Sequence, residues 1–198
     1  MDAVDRTEDS SNNSYYVSNA YYERLIADFT GWQQRELEIS DAGMRDGCRR
    51  FLECEARYLQ DLRFDEWLGL YAAKCLYWVP GRANAGDPRR EVAIAFDDRR
   101  RLEDRTCRLQ MSYAWSQRPP SRTVRMVGNV EVFKTPLPEV FMVRSNLLIN
   151  EFWAEESRVW GGWCGHRLHR QGDEWRILVK QVNLVDCERN LRNPSIIF

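Results

Sequence analysis

The sequence predicts an α+β domain. Apolar residues in the first third of the chain recur at helical spacing, and the period switches to alternation near Lys74. The last third holds four long alternating segments with short links, which predicts an antiparallel meander.

Tyr22, Leu25, Ile26, Phe29 and Trp32 form one helical face, with Asn19 as the expected cap. A second helix is expected over Asp41–Leu62, with Cys48, Phe51, Leu52, Leu59 and Leu62 as its apolar stripe. Trp67, Leu68 and Tyr71 mark a short third helix over Asp65–Tyr71. Lys74–Val79 then reads as a strand ended by Pro80, with Cys75, Tyr77 and Val79 on one face. After a Gly/Asn/Pro-rich loop, Glu91–Phe96 reads as a strand and Asp98–Gln110 as a charged helix anchored by Leu102 and Leu109. The meander comprises Thr123–Lys134, Glu139–Asn150, Arg158–Arg170 and Trp175–Asp186, with its clearest turn at Gln171-Gly172-Asp173. If this sheet curls, its concave face is expected to receive the N-terminal helices. Residues 1–43 are expected to be an N-terminal arm with a helix, and residues 44–198 a single domain.

The 198 residues suffice for one domain with a substantial core. Net charge is -1, and Asp97, Asp98, Glu103 and Asp104 interrupt the arginine cluster at Arg99–Arg101, so nucleic acid is not an expected partner. No run of about eighteen apolar residues occurs, so no membrane span is expected. Met1–Asn13 lacks the basic-then-apolar order of a signal peptide, and the expected location is cytoplasmic. None of the six cysteines pairs in CxxC spacing, so free, mostly buried thiols are expected.

The chemistry-bearing residues are few. Cys164-Gly165-His166 looks like half of a Rieske site, but Asn190 stands where the downstream cysteine, Cys187, would need a histidine partner. The only histidines are His166 and His169, and a strand points residues three apart to opposite faces. A complete Rieske oxygenase needs about four histidines, two for each iron centre, so this chain does not perform that reaction alone. No phosphate-binding glycine loop and no GxSxG serine elbow occurs. Gly161, Gly162 and Gly165 are read as a bend or bulge within a strand.

Four stretches carry a family resemblance. "EARYLQDLRFDEWLGLYAAKCLYWVP", "EVAIAFDDRRRLEDRTCRL", "AWSQRPPSRTVRMVGNVEV" and "DCERNLRNPSIIF" together resemble, in order, the small (β) subunit of aromatic-ring-hydroxylating dioxygenases. They run from Glu55 to Phe198, and their joint order is more specific than any one of them. The resemblance implies a cone-like fold of the nuclear-transport-factor-2 type, a strongly curved antiparallel or mixed sheet enclosing N-terminal helices. It implies a structural, metal-free subunit without cofactor or catalytic residues of its own. The partner α subunit would hold the Rieske [2Fe-2S] cluster and the mononuclear Fe(II), within an assembly of three α and three β chains. A reductase, often with a ferredoxin, would supply electrons from NADH, and the reaction would be dihydroxylation of an aromatic ring by dioxygen. The matching stretches nominate Asp97, Asp98, Arg99, Trp115, Pro119, Pro120, Arg122, Asn129, Asn190, Arg192, Asn193 and Pro194 as subunit-interface residues. Their alternative reading is local: prolines fixing a loop and asparagines tying down turns. The apolar end Ile196-Ile197-Phe198 is expected to be packed rather than free.

Cones of this type also host small-molecule isomerases and dehydratases. Such an enzyme needs a general acid or base in its cavity, and His166 and Asp186 are the candidates. A third possibility is a plain ligand-binding or scaffold protein. An enclosed polar pocket with a buried carboxylate favours the isomerase; a cavity filled by Trp67, Leu68, Trp163 and similar groups favours the structural subunit.

Overall fold

The computed structural model describes residues 18–83, 86–111, 117, 119–189, 191 and 196–198. The chain opens with α1 (Asn19–Asp28), a 3-10 turn (Arg35–Leu37), α2 (Ala42–Gln60) and α3 (Phe64–Gly69). There follow β1 (Tyr71–Pro80), β2 (Ala93–Asp98) and α4 (Arg99–Gln110). The meander is β3 (Arg122–Lys134), β4 (Val140–Trp153), β5 (Glu156–Gln171) and β6 (Glu174–Leu184).

Helix starts follow capping chemistry. Ser18 caps α1 by accepting from the Tyr21 amide, one residue before the expected cap. Asp41 caps α2 through the Met44 amide, and Asp98 caps α4 through the Arg101 amide. Helix α1 stops at Asp28, four residues before Trp32, because the chain turns at Gly31, which has φ +64°. That turn frees Trp32 to reach the sheet rather than extend the helix.

The six strands lie in the order β2-β1-β6-β5-β4-β3. β3 to β6 form the expected antiparallel meander, and β1 joins it by parallel pairing with β6. The curved, unclosed sheet is therefore mixed. Its inner face packs on α2 and α3 through Leu52, Leu59, Trp67, Tyr77, Val143 and Ile149, all at or below 2% exposure.

The sheet is buried on both faces near β1. Cys75, Tyr77 and Val79 face the inner core, while Leu76 and Trp78 face a second cluster with Leu25 and Phe29. Only part of the N-terminal region therefore follows the expectation of helices on the concave face: α2 and α3 lie inside, and α1 covers the outside. Trp32 extends this outer layer onto Phe133 and Met142. Trp163 points to this outer side as well, so it does not fill the cone with Trp67 and Leu68.

Gly162 and Gly165 of β5 serve close approach rather than a bend in the pairing with β4. Pairing of β4 with β5 runs unbroken from Val140↔His169 to Trp153↔Glu156. A Cβ on Gly162 would lie 2.3 Å from the Asn183 carbonyl oxygen, and one on Gly165 would lie 3.0 Å from Phe29 and 3.2 Å from Trp32. Register shifts fall at other residues: between Arg167 and Leu168 where β5 pairs with β6, and between Gly128 and Glu131 in β3, with Asn129 at φ 51°.

Gly165→Ala is expected to loosen the α1 layer, because both rings beneath it must shift. A loss of about 1–3 kcal/mol in urea unfolding is the expected outcome. An unchanged midpoint would show that the outer layer yields without strain.

Candidate functional site

Helix α2 carries a carboxylate within its apolar stripe. Glu55 lies three residues after Leu52 and four before Leu59, so it enters the core with them. On β6, Lys180 alternates in phase with Val182 and Leu184 and points inward. The two meet inside the cone, Lys180 Nζ to Glu55 Oε1 at 2.8 Å, each side chain 4% exposed.

Glu55 also accepts from Trp67 Nε1 at 3.2 Å and from Tyr71 Oη at 3.4 Å. His166 Nε2, from β5, lies 3.4 Å from Glu55 Oε2, within ion-pair reach but outside hydrogen-bonding geometry. His166 Nδ1 has no hydrogen-bond partner among the described residues. Burial opposes ionisation of Glu55, but Lys180 and His166 outweigh it and hold the carboxyl well below the usual carboxylate range. Burial pulls His166 below its ordinary value, against the opposing pull of Glu55. Burial also pushes the thiols of Cys48, Cys75 and Cys164 up to about 12, which leaves them protonated and unreactive at neutral pH.

A second buried carboxylate, Glu151 on β4, accepts from Trp160 Nε1 at 2.8 Å and from the Ser121 hydroxyl. Both interior glutamates thus satisfy a tryptophan indole that would otherwise be an orphaned donor.

Among the described residues the cone interior holds a cavity of about 10 Å³, room for roughly one water. Glu55, His166 and Lys180 line it together with Leu52, Cys164 and Phe198. Ligand pockets for drug-sized molecules run to about 300–1,000 Å³, so this interior does not serve as one. Asp186 does not join His166 there: it sits in the turn after β6, away from the cavity lining. Of the two candidates only His166 lines the cavity, where Glu55 supplies the buried carboxylate that the isomerase reading calls for; what the interior lacks is room for a substrate beside them. His169 is half-buried on the opposite face of β5 from His166, as the alternation predicts. Among the described residues no three His, Cys, Asp or Glu side chains group to hold a metal ion. The two histidines cannot converge on one iron, so the donor set does not fit either dioxygenase centre.

The interface residues nominated from the sequence fall into three places. Asp97, Asp98 and Arg99 gather at the β2–α4 joint and contact their own chain. Asp97 accepts from Arg105 Nε at 2.8 Å, and Arg99 Nη1 donates to the carbonyls of Leu68 and Tyr71 at 2.9 and 3.2 Å. Pro119 and Pro120 lead into β3; the Pro119 carbonyl accepts from Trp153 Nε1 at 2.9 Å, and Arg122 lies over the Phe152 ring at 4.8 Å. Asn129 is the exposed bulge residue of β3. Trp115, Asn190, Arg192, Asn193 and Pro194 lie outside the described residues. The Glu55–Lys180 pair was not singled out from the sequence, although a charge in phase with an apolar stripe was its visible signal.

Comparison with known proteins adds to this geometry. The family model described as "Ring hydroxylating beta subunit" matches residues 54–189, more than half of the chain. The chain belongs to the ring hydroxylating beta subunit family. A solved structure similar to this chain is that of the β subunit of benzoate 1,2-dioxygenase from Burkholderia mallei, at 26% identity and TM-score 0.62, covering 76% of this chain and 95% of that one. A chain of naphthalene 1,2-dioxygenase matches at TM-score 0.72 and 17% identity, covering 92% of this chain and 95% of that one. The fold is also shared with ActVI-ORFA of Streptomyces coelicolor, at TM-score 0.53 and 10% identity, over 73% of this chain and 98% of that one. The β-subunit cone is thus of the nuclear-transport-factor-2 type.

Two measurements probe the interior. Glu55→Gln leaves Lys180 buried without its counter-charge and is expected to cost about 3–5 kcal/mol in denaturant unfolding. The double variant Glu55→Leu with Lys180→Met is expected to cost less than the sum of the singles, since it removes both charges. Stability is also expected to fall on acidification. His166 has a folded pKa below its unfolded one, so its contribution is full above the unfolded value near 6.5. It fades as pH drops from there through the folded value, by at most about 1.4 kcal/mol per pH unit. Glu55 adds a loss in the same direction at strongly acidic pH, as its depressed folded value is reached. Thermal melts between pH 7.5 and 5.5 are expected to slope downward for the natural chain and to flatten in His166→Gln. Equal slopes would locate the titration elsewhere.

Proposed function

We propose that this β subunit is the non-catalytic part of a Rieske oxygenase that dihydroxylates an aromatic ring with dioxygen. The filled cone is the observation that supports this reading: with about 10 Å³ left inside, an aromatic substrate must be turned over in another chain. The Rieske [2Fe-2S] cluster and the mononuclear Fe(II) then belong to the α subunit. A reductase, with or without a ferredoxin, supplies NADH-derived electrons to that partner, and three α with three β chains make up the assembly.

One part of the surface suits the contacts that such an assembly needs. The outer sheet face is covered near β1 by α1, but its other half is open. There Val124, Met126, Leu148, Phe152, Val159 and Val185 are 40–80% exposed. Strand register makes them contiguous: Met126 opposes Leu148, Leu148 opposes Gly161, Asn150 opposes Val159, and the Val185 amide donates to the Gly161 carbonyl. In a chain with 30% charged residues, the positions between them on this face are Asn146, Asn150, Gly161 and Asn183. Depletion of charge around exposed apolar residues marks the centre of an interface. Arg122, beside Pro119 and Pro120, and Asn129 border this face, which supports reading these four of the nominated residues as subunit-contact residues. Asp97, Asp98 and Arg99 act first as local ties within the subunit.

Native mass spectrometry of the complex purified through a tagged copy of this chain tests the assignment. A heterohexamer with a larger iron-bearing chain is the expected result; a lone chain with no iron protein attached overturns it. For the surface, Val159→Glu together with Met126→Glu is expected to lower recovery of the complex at least tenfold while circular dichroism of the subunit stays unchanged. Undiminished assembly would move the contact to another face.

A further inference from the structure

Residues 196–198 lie inside the cone as a peptide lies in a binding site. Ile197 and Phe198 are each 2% exposed. The Phe198 amide donates to Tyr77 Oη at 2.9 Å, and the Phe198 main-chain oxygen accepts from Lys180 Nζ at 3.0 Å. The Ile197 carbonyl accepts from Arg125 Nη2 at 2.6 Å. The Phe198 ring meets Trp160 edge to face, with centroids 5.1 Å apart. These four receptor side chains come from β1, β6, β3 and β5, so the segment is held by most of the sheet.

The receptor groups depend on their occupant. Among the described residues, the other hydrogen-bond partners of these cations are Thr123 Oγ1, at 3.4 Å from Arg125 Nε, and Glu55 Oε1, at 2.8 Å from Lys180 Nζ. Burial pulls Arg125 down to about 10, against the opposing pull of Glu55 and Glu151. Arg125 and Lys180, the latter also paired with Glu55, donate to successive main-chain oxygens beside an aromatic wall, and the Tyr77 hydroxyl meets both the amide and, at 3.5 Å, the oxygen of Phe198. That chemistry recognises an aromatic ring carried a few bonds from a carboxylate.

We propose that the cone interior is an aromatic-carboxylate site that the chain's own 196–198 segment occupies and keeps shut. The segment prevails because it is tethered, at an effective concentration of millimolar or more that a free acid does not match. The inference stands apart from the subunit assignment, because it concerns only how this chain fills its own interior.

Deleting residues 196–198 and following thermal unfolding with 3-phenylpropionate tests it. 3-Phenylpropanol, which lacks the charge, and butyrate, which lacks the ring, are the controls. At ten times Kd, phenylpropionate is expected to raise the Tm of the deletion variant by about 3–6 °C, with smaller shifts from both controls and none in the intact chain. No shift in the folded deletion variant overturns the proposal, as does an equal shift in the intact chain or an equal response to all three compounds. If the deletion variant does not fold, Phe198→Ala keeps the main-chain contacts and leaves a ring-sized void. Toluene is then expected to stabilise that variant and not the natural chain, and failure to do so overturns the ring pocket.

Discussion

The interior of this subunit is organised around the contact between Glu55 and Lys180. A buried ion pair contributes little net stability, because the desolvation of two charges offsets most of their attraction. Its effect here is to specify. Shifting β6 by one residue would turn Lys180 outward and leave the Glu55 carboxylate in the core without its lysine counter-charge. The pair therefore fixes the register of the sheet against α2. Trp67 and Tyr71 donate to the same carboxylate, so α3 and the start of β1 are set by it too. Lys180 reaches past Glu55 to Phe198, and the 196–198 segment joins the same network.

The two faces of the sheet solve different problems. Inside, long apolar side chains, two satisfied glutamates and residues 196–198 leave almost no free volume. Outside, α1 and Trp32 cover only the half near β1, and small residues on β5 allow that cover to lie close. The other half keeps a charge-poor apolar surface. A chain of a β-subunit family has reason to keep one face packed and another open to a partner subunit.

Much of the fold was legible in the sequence. Helical spacing located α2 and alternation located the meander, and Asp41 and Asp98 stand as caps where the pattern begins. The parallel pairing of β1 with β6 was not readable, since no local pattern encodes a contact between residues about a hundred positions apart. Nor was the placement of α1: Leu25 and Phe29 show that a face is buried, not which side of the sheet buries it. Packing of Ile196–Phe198 was readable from hydropathy alone. The Glu55–Lys180 pair was missed because each residue, taken singly, resembles an ordinary surface charge, and only its phase within an apolar stripe betrays it. The nominated surface residues were separable into local ties and exposed positions only once burial and hydrogen bonds were known.

The parallel contact of β1 with β6 also governs how the molecule can be made. During synthesis β1 emerges long before its neighbour, with only β2 to pair on one side. Until residue 180 leaves the ribosome, Glu55 has no cation and one edge of β1 has no partner. Closure thus belongs among the slow, long-range pairings, and the unfinished chain exposes both an unpaired strand edge and the apolar lining of the cone. Its exposure to aggregation is greatest before the last strand arrives, which makes the order of translation a constraint on recovery of the folded subunit.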